Sequence, residues 1–199
     1  KMDESCSLIG AVNTVVNDEG VLKGYNTDMD GFLEPFKKKN LEIKNGNVLL
    51  LGAGGAARAT VAGIAKERAK SITIANRTLE KAKNLSEFAK KIQLNANAIQ
   101  ISDVKDSAKN FDIIINATSI GLKNEPSPIS LDGINEKTIV YDIVYMPMNT
   151  DFLKKAKENN AIIILGYEML LGQATRAFEI WHNIEAPYNA MKKALLGGF

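Results

Sequence analysis

Gly52-Ala-Gly-Gly-Ala-Ala57 follows the spacing G-x-G-x-x-A. In that spacing Gly52 allows a tight turn, Gly54 lets a pyrophosphate approach the backbone, and the small Ala57 lets helix and strand pack closely. A helix beginning there offers unpaired N–H groups to phosphate. Taken alone, the six residues also read as a plain glycine turn. Further on stands Asn76-Arg77-Thr78, at the place where a site selective for NAD carries Asp or Glu for the ribose 2′-hydroxyl. The first carboxylate comes only at Glu80. A guanidinium, an amide and a hydroxyl instead suit a 2′-phosphate, which Arg binds in a planar fork, and Lys81 adds charge. The rival reading makes Arg77 a solvated loop residue and Thr78 only a helix cap. The pattern favours NADP over NAD.

These residues need elements to hold them. The apolar run 47–51 reads as a strand buried on both faces. A helix is expected over 58–68, a strand over 71–75 and a helix over 78–92 with Thr78 as N-cap. Strands follow at 98–101, 111–116 and 138–143, then a helix at 150–159 and a strand at 161–165. Strands that are apolar throughout and alternate with helices indicate an α/β fold with a parallel sheet covered on both faces. Before this part, 11–16 and 21–25 flank the turn-rich 17–20 as a hairpin, and 29–40 reads as a helix. The run Lys37–Lys39 is expected to be its solvated end. Helices are expected at 168–182 and 187–196, the latter started by Pro187.

Composition narrows the function classes. The 199 residues carry 25 Lys+Arg against 23 Asp+Glu, a net charge of +2, with 45% hydrophobic residues. Without a polybasic block, neither nucleic acid nor an anionic membrane is expected as partner. The single cysteine, Cys6, fits a reducing, cytoplasmic setting and has no evident partner base for a nucleophilic role. No apolar run is long enough to span a membrane. Trp181 and His182 are expected to pack, and no metal-ligand cluster is visible.

Seven motifs in order carry a resemblance: Gly10-Ala-Val-Asn-Thr14, Gly24-Tyr-Asn-Thr-Asp28, Gly52-Ala-Gly-Gly-Ala56, Asn76-Arg-Thr78, Asn116-Ala-Thr-Ser119, Asp142 through Tyr145 with Pro147, and Gly166 through Gln173. Together they resemble the shikimate dehydrogenases, which interconvert 3-dehydroshikimate and shikimate with NADP. The resemblance implies a Rossmann-like, doubly wound, mostly parallel sheet with flanking helices, beside a second α/β substrate domain. It divides the chain into a substrate-domain remnant (1–28), an NADP domain (29–165) and helices returning to the substrate domain (166–199). Carried over by motif, Asn13 and Asp28 hydrogen-bond shikimate hydroxyls, with Asp28 partnering a catalytic lysine. Gly52, Ala53, Gly54, Gly55 and Ala56 hold the pyrophosphate, and Asn76, Arg77, Thr78 and Lys81 the adenosine end. Thr118 contacts the cofactor, Ile143 and Gly166 lie along the nicotinamide half, and Met169 packs on its face. Tyr145 approaches substrate and nicotinamide, and Gln173 reaches the substrate from the start of a helix. Without the family, Asn13 and Asp28 read as turn or cap residues, Met169 as core, Gln173 as a surface amide and Tyr145 as a loop aromatic.

One departure bears on activity. The family's lysine lies in a motif resembling Asn-Val-Thr-x-Pro-x-Lys ahead of Gly-Ala-Val-Asn-Thr, and nine residues precede Gly10 here, with Lys1 outside any such motif. The serines that grip the shikimate carboxylate are absent too. Most of the substrate domain is therefore expected to be missing, so that these residues alone bind NADP without turnover. Residues 8–27 are expected to expose apolar surface and promote association, such as a homodimer. A quinate/shikimate dehydrogenase is the nearest rival. Glutamyl-tRNA reductase and methylenetetrahydrofolate dehydrogenase rank below it, because neither calls for Gly24-Tyr-Asn-Thr-Asp28 together with Gln173.

Overall fold

Val48, Leu49, Leu50 and Leu51 are all fully buried, and four such residues in a row require apolar cover on both faces of a strand. The computed structural model, which describes residues 1–198 apart from the side chain of residue 106, supplies that cover. The chain runs α1 (Glu4–Ile9), β1 (Thr14–Asp18), β2 (Val21–Tyr25), α2 (Asp28–Lys38), β3 (Asn47–Leu51), α3 (Gly55–Lys66), β4 (Ser71–Asn76), α4 (Leu79–Lys91) and β5 (Ala96–Gln100). It continues through β6 (Ile113–Asn116), β7 (Ile139–Asp142), α5 (Asp151–Glu158), β8 (Ile162–Ile164), α6 (Gly166–His182) and α7 (Tyr188–Leu196).

Six strands form one sheet in the order β5-β4-β3-β6-β7-β8, every neighbouring pair parallel. Counted from β3, that order is 3-2-1-4-5-6, the doubly wound Rossmann arrangement, and its switch point lies between β3 and β6. Side chains alternate across the sheet as the strand period demands. Val48 and Leu50 pack with α2, α3 and α4 through Phe32, Val61, Ile64 and Phe88. Leu49 and Leu51 pack on the other face with α5 through Phe152, Leu153 and Ala156, and with Val104, Ala108, Ile129 and Leu131. Between β5 and β6 this second face is covered by short 3₁₀ turns at 101–103 and 105–110. β1 and β2 form a separate antiparallel ribbon, which leaves Val15, Val21 and Leu22 exposed.

Helices α2 and α6 cross almost backbone to backbone. A Cβ on Gly31 would lie 2.5 Å from Gln173 Cγ and 2.8 Å from Gln173 N, and one on Gly172 would lie 2.9 Å from Gly31 Cα. Only glycine at both positions permits this approach, which sets the height at which Gln173 meets α2. Lys38 and Lys39 are more engaged than a solvated helix end would be. Lys39 Nζ lies 3.2 Å from Glu168 Oε2 of α6, and Lys38 Nζ sits 4.2 Å from the ring centre of Tyr188 in α7.

Several boundaries differ from the sequence pattern, each for a local reason. Helix α3 begins at Gly55 inside the glycine motif, because its first turn is part of the motif rather than a loop before it. Thr78 occupies the N-cap position of α4, but its side chain makes no capping bond. Helix α1 has no counterpart in the sequence reading, although its ends carry ordinary signals: Asp3 accepts from Cys6 N at 2.9 Å, and Gly10 ends it at φ 77°.

Tyr141 stacks on Phe32 with ring centres 5.3 Å apart. Its hydroxyl is buried without a hydrogen-bond partner among the described residues, a desolvation cost that Phe would not carry. Tyr141→Phe is therefore expected to raise stability by about 1 kcal/mol, read as a higher midpoint in urea unfolding; a clear loss would show that the hydroxyl has a partner.

Candidate functional site

Leaving the end of β3, the chain turns at Gly52, whose φ of 105° disfavours any residue with a Cβ. A Cβ there would also lie 2.6 Å from the carbonyl oxygen of Ala117, and Gly52 N donates to Ala75 O at 2.8 Å. Gly52 thus fastens the loop between the ends of β4 and β6 at the switch point. Gly54 and Gly55 differ. A Cβ on either would meet nothing within 4 Å, and Gly54 has φ −95° and ψ −167°, which any residue adopts. Neither packing nor backbone conformation demands glycine at these two positions. What their missing side chains leave is open space before the N-terminus of α3, whose N-cap Gly54 has no side-chain capping bond. Such a terminus suits a phosphate.

That space continues into a cavity of about 360 Å³. It gathers Gly52, Ala53, Gly54, Asn76, Arg77, Thr78, Lys81 and Thr118 from the sequence prediction. Asn76 Nδ2 donates to Thr78 O at 2.9 Å and shapes the turn after β4. Arg77 and Lys81 are cationic, form no ion pair among the described residues, and share the wall with no carboxylate. The residues present therefore fit a dinucleotide carrying an extra phosphate. Ile101, Ser119 and Ile120 also line the cavity and were missed as site residues. The signal available for Ile101 was its position just past the carboxyl end of a parallel strand, where ligands of such sheets bind.

Five residues predicted to hold the cofactor, Gly55, Ala56, Ile143, Gly166 and Met169, lie outside this cavity, as does Tyr145. Met169 is buried in the core beside Phe32 and Tyr141. Ile143 packs partly buried against the same core, and Gly166 sits under the loop after β7, where a Cβ would lie 2.4 Å from Val144 O and 2.7 Å from Ile143 O. Tyr145 is half-exposed on that loop. Gly55 and Ala56 form the first turn of α3.

A second cluster gathers at the start of α2. Asn13 Nδ2 donates to Asp28 Oδ1 at 2.8 Å, and Gln173 Nε2 donates to the same oxygen at 2.7 Å. Asn13 is itself held, its Oδ1 accepting from Thr27 N and Thr14 Oγ1, each at 3.0 Å. Asp28 N donates to Asn26 Oδ1 at 2.9 Å. Gln173 reaches Asp28 from within α6, about two turns past Gly166 rather than from the helix start. Both amides converge on Oδ1, and Oδ2 receives no hydrogen bond from the described residues. Burial raises the Asp28 carboxyl above its ordinary 3.8, while the Asn13 amide pulls the other way. A carboxylate so fixed can accept a hydroxyl proton in a hydrogen bond or steady a neighbouring cationic acid–base group.

A third polar cluster, unforeseen in the sequence, stands at the carboxyl ends of β6 and β7. Asp142 is fully buried and accepts from Asn116 Nδ2 (2.9 Å), Val144 N (3.0 Å) and Thr150 Oγ1 (2.6 Å). Desolvation nevertheless pushes its carboxyl up to about 6, against those donors. Between pH 3.8 and about 6 the folded chain holds a proton here that the unfolded chain has released. This group's contribution is therefore most favourable near pH 4, falls as pH rises to about 6, and is flat above. The full change is about 3 kcal/mol. Unfolding midpoints from pH 4 to 7 should show that decline in the parent and lack it in Asp142→Asn; parallel profiles would refute it.

Among the described residues there is no His, Cys, Asp or Glu group able to hold a metal, and no helix is long and apolar enough to cross a membrane.

The chain is similar to known proteins along its whole length. Residues 35–126 match the family described as Shikimate / quinate 5-dehydrogenase, and 166–196 match the Shikimate 5'-dehydrogenase C-terminal domain. All 199 residues align at 80% identity with a shikimate dehydrogenase (NADP(+)) of Nitrosopumilus maritimus, covering 73% of it. A shikimate 5-dehydrogenase of Thermus thermophilus, solved with NADP(H) and shikimate, is 33% identical with a TM-score of 0.86, over 100% of this chain and 72% of that one. A quinate dehydrogenase of Corynebacterium glutamicum, solved with NAD, is 26% identical with a TM-score of 0.92, over 98% and 71%. A relative from Caldanaerobacter subterraneus, 41% identical, is spanned over 64% of its length.

Proposed function

The chain belongs to the shikimate dehydrogenase family, and from that premise we propose that it serves the NADP-dependent, reversible reduction of 3-dehydroshikimate to shikimate, as the part that holds the cofactor. NADP supplies or accepts the hydride at the carbon that bears the reacting oxygen. The open N-terminus of α3 behind Gly54 and Gly55 takes the pyrophosphate. Arg77 and Lys81, with Asn76 and Thr78, take the 2′-phosphate and adenosine, and Thr118 closes the facing wall. Ile143, Gly166 and Met169 support the nicotinamide half.

At the substrate, Asn13, Asp28 and Gln173 grip ring hydroxyls, and Tyr145 approaches from the loop after β7. Oxidation of the alcohol needs a proton removed from its oxygen as hydride leaves the carbon. Asp28 is the group poised to steady that proton transfer, since its Oδ1 is saturated by two amides. The convergence of those amides on Asp28 is the observation that carries the reading. A cytoplasmic setting goes with it, supported by the unpaired, buried Cys6. A homodimer is supported by the exposed Val15, Val21 and Leu22; light scattering at high concentration should return more than the monomer mass, and monomer mass alone would oppose it.

A finer reading concerns a polypeptide of these 199 residues by itself. The lysine that the resemblance assigns to the acid–base step is not among them, so we infer NADP binding with turnover lower by roughly 10²–10⁴. The experiment compares shikimate-dependent NADPH formation by this polypeptide with that by the same chain extended by the unmatched remainder of the Nitrosopumilus relative. Activity only in the extended chain supports the reading. Equal activity would mean that another group takes the proton. Quinate as a parallel substrate tests the quinate/shikimate alternative.

A further inference from the structure

Two loops leave the carboxyl edge of the sheet side by side. Residues 117–121 follow β6 and bring Thr118, Ser119 and Ile120 to the wall of the dinucleotide cavity. Residues 143–150 follow β7 and lead to α5. One run of buried side-chain hydrogen bonds ties them together. Asn116 holds the first loop from inside: its Oδ1 accepts from Thr118 N (3.1 Å) and Thr118 Oγ1 (2.7 Å), and its Nδ2 donates to Ile120 O (3.1 Å). That Nδ2 also donates to Asp142 Oδ1, and Thr150 Oγ1 donates to Asp142 Oδ2 at 2.6 Å. Thr150 in turn accepts from Leu153 N at 3.3 Å and so caps α5. Asn116, Asp142 and Thr150 are at most 1% exposed, and none of them lines the cavity.

We propose that Thr150 is a positioning residue for the dinucleotide, acting through Asp142 and Asn116 to fix the loop that carries Thr118, Ser119 and Ile120. The bonds run in series. A buried carboxylate must be supplied with donors, and Thr150 is the side chain that serves Oδ2. Without that hydroxyl, Asp142 must turn toward other donors or take up a proton. Either change disturbs Oδ1, where Asn116 is anchored, and Asn116 grips both Thr118 and Ile120. The cavity wall therefore loses its set position although no wall residue has been altered.

The inference rests on the NADP reading, and calorimetric titration of NADP into the parent chain tests that reading first. Thr150→Val keeps the shape of the side chain and removes the hydroxyl; it is expected to weaken NADP binding by about tenfold. Thr150→Ser restores the hydroxyl and is expected to bind within about threefold of the parent. A role limited to capping α5 would lower the unfolding midpoint of Thr150→Val and leave its NADP affinity unchanged, and that result would overturn the proposal. Should Thr150→Val not fold, Thr150→Cys, whose thiol donates weakly, carries the same comparison: weaker binding supports the proposal and parental affinity overturns it. Failure of the parent to bind NADP would overturn both the reading and the inference.

Discussion

A chain carrying Arg77→Ala and Lys81→Ala should bind NADP about 10²–10⁴-fold more weakly than the parent, while its affinity for NAD stays within roughly threefold. The expectation follows from where the two cations stand. Strand β4 ends at Asn76, and the turn after it contributes Arg77 and Thr78, and the first turn of α4 Lys81, to one cavity wall that contains no carboxylate. An NAD site would place an acid there to bind the ribose 2′-hydroxyl, and that acid would repel a 2′-phosphate. Each charge-assisted hydrogen bond to phosphate is worth about 1.5–3 kcal/mol, and the two together give the expected range. NAD lacks the phosphate and has little to lose. Calorimetric titration of both dinucleotides into parent and variant reads the outcome. Equal loss for NAD and NADP would mean that the cations act on the shared pyrophosphate or on the fold.

Asp28→Asn carries the second large effect. In the extended chain described above, kcat for shikimate oxidation is expected to fall by about 10²–10⁴, with NADP affinity unchanged. The amide keeps the size of the carboxylate, but it removes the charge that can steady a cationic proton acceptor, and it sets Asn13 and Gln173 against a new donor. Because Asp28 lies on α2, away from the dinucleotide cavity lining, cofactor binding serves as the internal control. A variant that keeps its kcat would remove Asp28 from the acid–base step. One that loses NADP affinity as well would point to a disturbed fold.

The central strands are the most legible part of the molecule, because each is a run of adjacent apolar residues buried on both faces. Edge strand β5 is less so: Ala-Asn-Ala-Ile-Gln has no such run, and the strand spans Ala96–Gln100 rather than 98–101. The start of α3 hides in the glycine motif because glycine counts as a helix breaker, although here it keeps space open for a ligand. The cluster proposed for the adenosine end follows from local spacing, since strand, loop and helix place those residues by themselves. The cluster proposed for the substrate does not. Asp28 and Gln173 are 145 residues apart in sequence and meet only where Gly31 and Gly172 let two helices touch. The family resemblance assigned each of them to the substrate, but neither it nor composition and periodicity paired them with each other. The Asn116–Asp142–Thr150 run was invisible for a similar reason. Asn116 and Asp142 are partners only through the parallel register of β6 and β7. The hints were a polar residue ending each of two apolar strands and the place of Asn116 and Asp142 at the head of two motifs.

The central claim is that the cavity at the switch point is built for NADP. The most direct test is calorimetric titration of NADP and of NAD into the unmodified chain under identical conditions. A cavity so built should present a single site that takes NADP at least about a hundredfold more tightly than NAD. Equal affinities, or a preference for NAD, would contradict it.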